Sequence, residues 1–289
     1  MPMSPRLLRP RQTLHPEAAS WASRVVANGG TVSGTTLSAV DKFCKAIASA
    51  GIRERFYRLN LFCGTGLNAA LVPLYRGPSL GGTQYGGATD TNVGSLFVSA
   101  NYSETTGLSA PVSSTNYLDT GFTTTSVPAG VYESMHMSGS HGPTGAVNTD
   151  PFLVGVFSTE RYGLQTSIRT AALAYETGRS GKTQSVLATN GVQGARPSTF
   201  LLTQRTSATS LQLYRNGVLE NTTTTSVTGI GTVAISAFVF AYNNSGTRAG
   251  DQPGMPMRHY SIGDDMTEPQ VLAFYNACAA FNTAMGRTA

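Results

Sequence analysis

The chain has 289 residues, enough for one large β domain with additions or for two small domains. Only 12% of them are charged, about half the usual share, and the formal net charge is +5. Three arginines, Arg6, Arg9 and Arg11, sit in the first eleven positions and the rest are scattered, which argues against a basic nucleic-acid-binding face. No run of eighteen apolar residues is present, so no membrane span is expected.

Residues 1–15 hold Pro2, Pro5 and Pro10 among the arginines. Proline blocks helix and ladder bonding, so this segment reads as an extended arm, either a disordered tail, which the composition favours, or a docking strap laid on a partner. It lacks the apolar stretch of a secretory signal, and synthesis in a cytosol is the expectation.

Residues 16–28 read as a helix with Ala18, Trp21, Ala22, Val25 and Val26 on one face, closed by Asn28-Gly29-Gly30. Trp21 in that stripe reads as a packing residue. A second helix is predicted over 35–50, with Leu37, Val40, Phe43, Cys44 and Ile47 in line. Together they form a predicted helical hairpin within a unit spanning 16–57. Neither helix is long enough to be stable alone, so the pair must pack on something, the sandwich or the C-terminal helix being the natural candidate. Residues 58–74 are apolar around Gly64-Thr65-Gly66, and 77–94 read as a Gly- and Thr-rich loop.

Strands are predicted over 96–102, 117–122, 130–137, 151–158, 162–168, 171–177, 184–189 and 198–206. Residues 171–177 suit a helix equally. Turn signals fall at Gly139, Gly142-Pro143, 178–181 and Asn190-Gly191. Short strands at such spacing argue for an all-β sandwich. Residues 210–218 alternate and end in Asn216-Gly217, which suits the positive φ angles of a type I′ hairpin. Residues 234–242 read as a buried strand and 257–263 as another. Thr267-Glu268-Pro269 then starts an amphipathic helix with Val271, Phe274, Tyr275, Cys278, Phe281 and Met285 on one face.

The phrases LYRNGV, FVFAYNNSG and HYSIG, followed by the closing helix, resemble the last third of a concanavalin A-like or laminin G-like jelly roll. Their wording, with FYRLNLFCGTGLNAALVPLYRG upstream, is similar to such domains in bacteriophage virion proteins. The resemblance implies a mainly β fold: an antiparallel β-sandwich over 58–289, with the N-terminal helical hairpin and a C-terminal helix. It implies a virion structural protein, such as a capsid decoration or tail-fibre component, made in the host cytoplasm. The arm and hairpin would contact other virion proteins, and a homo-oligomer is expected. Host surface glycans are a further partner on this reading. The alternatives are a carbohydrate-binding module of a bacterial extracellular protein, or a polysaccharide-degrading enzyme.

Chemistry is sparse. The acids Asp119, Glu133, Asp150, Glu160, Glu176 and Glu220 are scattered, and no carboxylate pair of a glycosidase stands out. Glu176 occupies the first glycine position of what would otherwise resemble a phosphate loop ending in Gly181-Lys182-Thr183. His15, His136, His141 and His259 lack metal spacing. In Met135-His136-Met137, strand alternation sends the methionines to one face, as core, and the histidine to the other. No catalytic, cofactor-binding or metal residues are assigned, and a non-enzyme is expected. Calcium stays open through the loop acids Asp90, Asp150, Asp251 and Asp264-Asp265, with solvated turns as the favoured reading. Cys44 and Cys278 read as small buried hydrophobes, and a bridge between them would need their helices to pack together. Tyr75, Tyr85, Tyr102, Tyr117 and Tyr242, at loops and strand ends, suit either sugar stacking or a subunit interface.

Overall fold

The structure is a computed structural model. It describes residues 13–111, 114–128, 134–143, 152–157, 163–169, 175–180, 184–189, 198–207, 209–224, 234–250 and 254–287, with the backbone alone for 157, 163–169, 175–180 and 184–189. The elements run α1 (Pro16–Ala27), α2 (Gly34–Ser49), β1 (Phe56–Asn60), α3 (Leu67–Ala70), β2 (Thr91–Asn92), β3 (Tyr102–Ser103), β4 (Gly107–Ser109) and β5 (Leu118–Thr123). They continue with β6 (Met135–His141), β7 (Phe152–Phe157), β8 (Gly163–Arg169), β9 (Tyr175–Ser180), β10 (Gln184–Thr189), β11 (Thr199–Ser207) and β12 (Ser210–Arg215). The last are β13 (Val218–Thr223), β14 (Ser236–Val239), β15 (Tyr242–Asn244), β16 (Thr247–Ala249), β17 (Pro256–Asp264) and α4 (Glu268–Ala284).

Among the described residues the strands form two sheets. The first has the order β13-β12-β11-β6-β17-β4-β3, with β1 also on β17. The second has the order β10-β9-β8-β7-β14-β5-β2, with β15 on β7 and β16 on β15. The ladders are antiparallel except β15 with β7. Strand β17 is the seam of the first sheet. One edge pairs with β6 from Met257 to Asp264. The other is shared by β4 at Pro256 and Met257 and by β1 at Tyr260 to Gly263.

Two apolar clusters follow from this arrangement. One lies between the sheets, where Met135, Met137, Leu201, Leu213, Met257 and Ile262 of the first meet Leu118, Phe122, Leu153, Val156 and Val239 of the second. The other joins the helices to the far face of the first sheet: Trp21, Phe43 and Phe274 pack with Phe56, Phe200 and Tyr214. The centre of the first sheet is thus buried on both faces, and β6 has no exposed residue, while the edge strand β13 is largely exposed. Alternation in β6 and β17 therefore separates two interiors, one apolar and one bearing His136, Ser138, Ser140, His259 and Ser261.

The helices form where caps and apolar stripes coincide. Ser33 Oγ accepts from Thr36 N at 3.0 Å to start α2, and Thr267 with Gln270 makes a capping box on α4. Trp21 is 1% exposed and its indole N–H donates to the Val72 carbonyl at 3.1 Å, so it packs as the stripe predicts. Val26 departs from the predicted stripe and is 65% exposed. The helix pair finds its support in α4: Phe43 of α2 meets Phe281 edge-on at 6.1 Å.

Several predicted elements need correction. Residues 96–102 are largely not a strand; 3₁₀ turns occupy Val93–Ser95 and Ser99–Asn101, and only Tyr102 enters β3. The side chains of Asn92 and Asn101 bond the backbone at Phe97 and Val98, competing with a ladder. Gly139 is no turn but the middle of β6. A Cβ there would lie 3.1 Å from the Leu153 Cβ of the facing sheet, so glycine allows the two sheets to approach closely. Gly178 likewise lies within β9, paired with Val186. Residues 175–177 begin that strand, while the rest of the ambiguous 171–177 segment lies outside the described residues. The run 234–242 is broken at Phe240, whose φ of 65° ends β14 before β15 begins. The Asn216-Gly217 turn has φ of 48° and 81°, as a type I′ hairpin needs. Cys44, Cys63 and Cys278 are free and buried.

Candidate functional site

The loop after α3 closes over a buried charge. Arg58 leaves β1 fully enclosed and its guanidinium meets Asp90 at 2.6 Å. The same group donates to the carbonyls of Tyr85 and Gly87, each at 3.0 Å. Asp90 also accepts from Tyr260 Oη at 2.5 Å and Asn60 Nδ2 at 2.7 Å. Asp90 is therefore an interior residue and not the solvated turn residue that the sequence suggested. With its charge balanced by Arg58, it pins the loop to β1 and β17. Tyr85, against Tyr57, and Tyr75, against Phe56, are both buried, so neither is a loop aromatic open to a sugar.

A second polar group lies between the first sheet and α4. Ser140 Oγ is 2.6 Å from His259 Nδ1, and His259 Nε2 is 3.9 Å from Cys278 Sγ. Spacing in the chain did not reveal this arrangement, because the three residues come from β6, β17 and α4. It has the outline of a nucleophile with its base, and its electrostatics oppose that use. Burial, then Arg287 and Arg258, push the His259 pKa down to about 3. Burial alone raises the Cys278 thiol well above its ordinary value. A neutral imidazole beside a protonated thiol is a packed polar pair, not an activated nucleophile. His136 is similar: its ring reaches Ser261 Oγ at 2.8 Å and the Asp264 carbonyl at 2.5 Å, and burial pushes its pKa down to about 4.

Beside the Ser140–His259–Cys278 row, a cavity of about 490 Å³ opens between α4 and the ends of β6, β11 and β17. Small-molecule sites span roughly 300–1,000 Å³. Hydroxyl, amide, aromatic and guanidinium groups line it, among them Ser198, Tyr275, Asn282, Thr283, Arg258 and Arg287. Arg287 follows the last turn of α4 and donates to the carbonyls of Leu61, Phe62, Glu104 and Arg258 at 2.6–3.1 Å. This fixes the end of the helix against β1 and β17.

The second sheet carries a different feature on the face turned away from the first. Ala237 and Val239 of β14 enter the core between the sheets, so alternation turns Phe238 outward. Tyr117 lies on it with ring centroids 4.5 Å apart. Tyr242 lies on Phe152 at the same centroid spacing. Both tyrosines are half-buried, each with a phenylalanine behind it. Gly155 pairs with Phe238 across the β7–β14 ladder.

No family model and no curated protein matches the chain. Among solved structures, it is similar to a botulinum neurotoxin type C structure concerned with interaction with two ganglioside molecules, at 14% identity and a TM-score of 0.40. That match covers 56% of this chain and 39% of the other. The serotype C1 binding domain, at 13% identity and 40% of its length, and a binding domain of neurotoxin DC with rat synaptotagmin II, at 14% identity and 40% of its length, match over the same share of this chain with the same TM-score. The chain thus spans well under half the length of these chains. Likeness at that level carries no argument about ligand or activity.

Of the other residues weighed in the sequence, Asp119 bonds the Gly121 amide at 2.8 Å and Glu220 sits 4.0 Å from Arg215. Asp264 and Asp265 face Tyr57 and Arg55. Among the described residues no three metal-binding side chains come together. Glu133, Asp150, Glu160, Asp251 and residues 1–12 lie outside the described residues, as does the side chain of Glu176.

Proposed function

We propose that this protein is a display and binding module that meets glycans through the aromatic face of its second sheet. The observation that carries this reading is the pair of half-buried tyrosines, Tyr117 and Tyr242, each packed at a tilt against a phenylalanine. A ring held against a second ring has lost its rotamer freedom before binding, so stacking on the flat apolar face of a sugar costs little further ordering. Both tyrosines retain a hydroxyl for the sugar's polar edge. A glycan array probed with the native chain should give hits that Tyr117→Ala and Tyr242→Ala each weaken about tenfold or more. Unchanged hits in the double variant would remove these residues from the site, and a blank array would remove glycan binding.

Its setting, on this reading, is a bacteriophage virion, where the chain is a structural protein of the head or tail with a jelly-roll sandwich directed outward. The virion-protein resemblance of LYRNGV, FVFAYNNSG and HYSIG supports this reading. The proline–arginine arm and the two N-terminal helices are the segments proposed to hold it to other virion proteins, in a symmetric oligomer. The role is non-catalytic: the Ser140–His259–Cys278 row holds its groups neutral, which favours a binding site over a reacting one.

A further inference from the structure

Asp119 is the charged residue of β2, β5, β7 and β14, and register sets it among the rings of the aromatic face. Its directly opposed partners are Phe238 in β14 on one side and Thr91 in β2 on the other. Opposed residues of an antiparallel pair share a face, and so do residues two apart on one strand. Tyr117 and Gly121 are therefore its neighbours along the chain. Beyond Phe238 the opposed residue is Gly155, which has no side chain to raise beside the ring. A row thus crosses the face: a hydroxyl at Thr91, a carboxylate at Asp119, the Phe238 ring with Tyr117 against it, and bare backbone at Gly155. The carboxylate is already oriented. Its Oδ1 accepts the Gly121 N–H at 2.8 Å, and Oδ2 has no hydrogen bond among the described residues. That one bond holds the rotamer and leaves an oxygen over. Asp119 is half-buried, with Thr91 exposed beside it.

We infer that Asp119 sets the class of glycan that this face takes: uncharged pyranose units, whose hydroxyls donate to its carboxylate while the sugar ring rests on Tyr117. The inference rests on the aromatic-face reading given above. A ring platform alone tolerates many sugars, because it meets only their C–H faces. A hydroxyl bonded to an ionised acceptor adds more than one bonded to a neutral group, and the Thr91 hydroxyl stands next to it for a second bond. A sugar carboxylate in the same place would set like charge against like and leave acceptors facing acceptors.

The test is a glycan array that carries neutral glycans beside counterparts ending in a sialic or uronic acid, probed with the whole chain. The neutral members should give the hits, and the acid-ended counterparts should bind about tenfold or more weakly. Asp119→Ala should weaken the neutral hits about tenfold or more. Asp119→Asn keeps an oxygen for the Gly121 amide and loses the charge. It should weaken the neutral hits less than alanine does, and bring neutral and acid-ended members to within about threefold of each other. A residue that only supported the strand would not change that ratio, so the asparagine variant separates recognition from folding. Equal native binding within the pairs, or neutral hits indifferent to both substitutions, would overturn the inference. Hits lost in Tyr117→Ala but kept in Asp119→Ala would leave the aromatic-face reading standing while the role of Asp119 fell. A blank array would remove both.

Discussion

Protonation of His136 and of His259 opposes the fold. Each ring is buried and neutral, with pKa values pushed down to about 4 and about 3, burial being the first cause in both. In the unfolded chain both titrate near 6.5. Between that value and about 4 the unfolded state binds protons that the native state refuses, so stability falls as pH falls through this window. Above it the penalty is absent. At about 1.4 kcal/mol per pKa unit, each ring withdraws roughly 3 kcal/mol by pH 4. Urea unfolding at pH 7 and pH 4.5 should show this loss, and His136→Gln should flatten the dependence without removing it. The alternation of Met135-His136-Met137 was legible in the sequence, and it puts both methionines in the core between the sheets. What the sequence could not show is that the opposite face is interior too, because α4 lies more than a hundred residues downstream. Asp90 was misread for the same kind of reason. Its partners Arg58 and Tyr260 are 32 and 170 residues away, and a Gly-rich neighbourhood looks solvated when they are unknown.

Among elements, α4 was the most readable and carries the most consequence. Val271, Phe274, Cys278 and Phe281 are buried on the predicted face. Phe274 is the hub, with centroids 4.8 Å from Phe56, 5.4 Å from Phe200 and 5.8 Å from His259. Phe274→Ala should cost about 3–5 kcal/mol in urea unfolding, whereas Leu272→Ala, on the exposed side, should stay within about 0.5 kcal/mol. Equal effects would mean that the helix does not dock by this face. Hairpin chemistry was equally legible at Asn216-Gly217, because the positive φ angles demand those residue types. Glycine misled elsewhere. At Gly139 and Gly178 it marks a strand interior, since a glycine chosen for close approach and one chosen for a turn look alike without the partner strand. The Phe240 break shows the converse: an unbroken apolar run concealed a change of pairing from β5 to β16.

For the whole molecule, one middle sheet separates two interiors. Composition and strand spacing suggested a sandwich, and they could not show that the helices complete the same body. Cys44 of α2, Tyr75 and Phe281 of α4 share one cluster with Phe200 of β11. The candidate sites were less legible than the fold. Tyr117 and Tyr242 were among five tyrosines singled out, and only packing separates them from Tyr75 and Tyr85. The cavity draws its wall from β6, β11, β17 and α4, so no local pattern announces it. If the arm is what holds the protein to a particle, removing residues 1–12 should leave the thermal midpoint of the isolated chain unchanged and abolish its incorporation into particles. Normal incorporation would refute the anchoring role.

The divided edge of β17 has a consequence during synthesis. Strand β1 emerges from the ribosome some two hundred residues before the partner that must cover it. At about 5–20 residues per second, that is a wait of roughly ten to forty seconds. Throughout it, Phe56 and Leu59 and the apolar sides of α1 and α2 have no α4 to cover them. The newborn N-terminal third therefore leaves this apolar surface without its final cover until the C-terminal segment is made. Ribosome stalling late in the message would harm this protein more than stalling early.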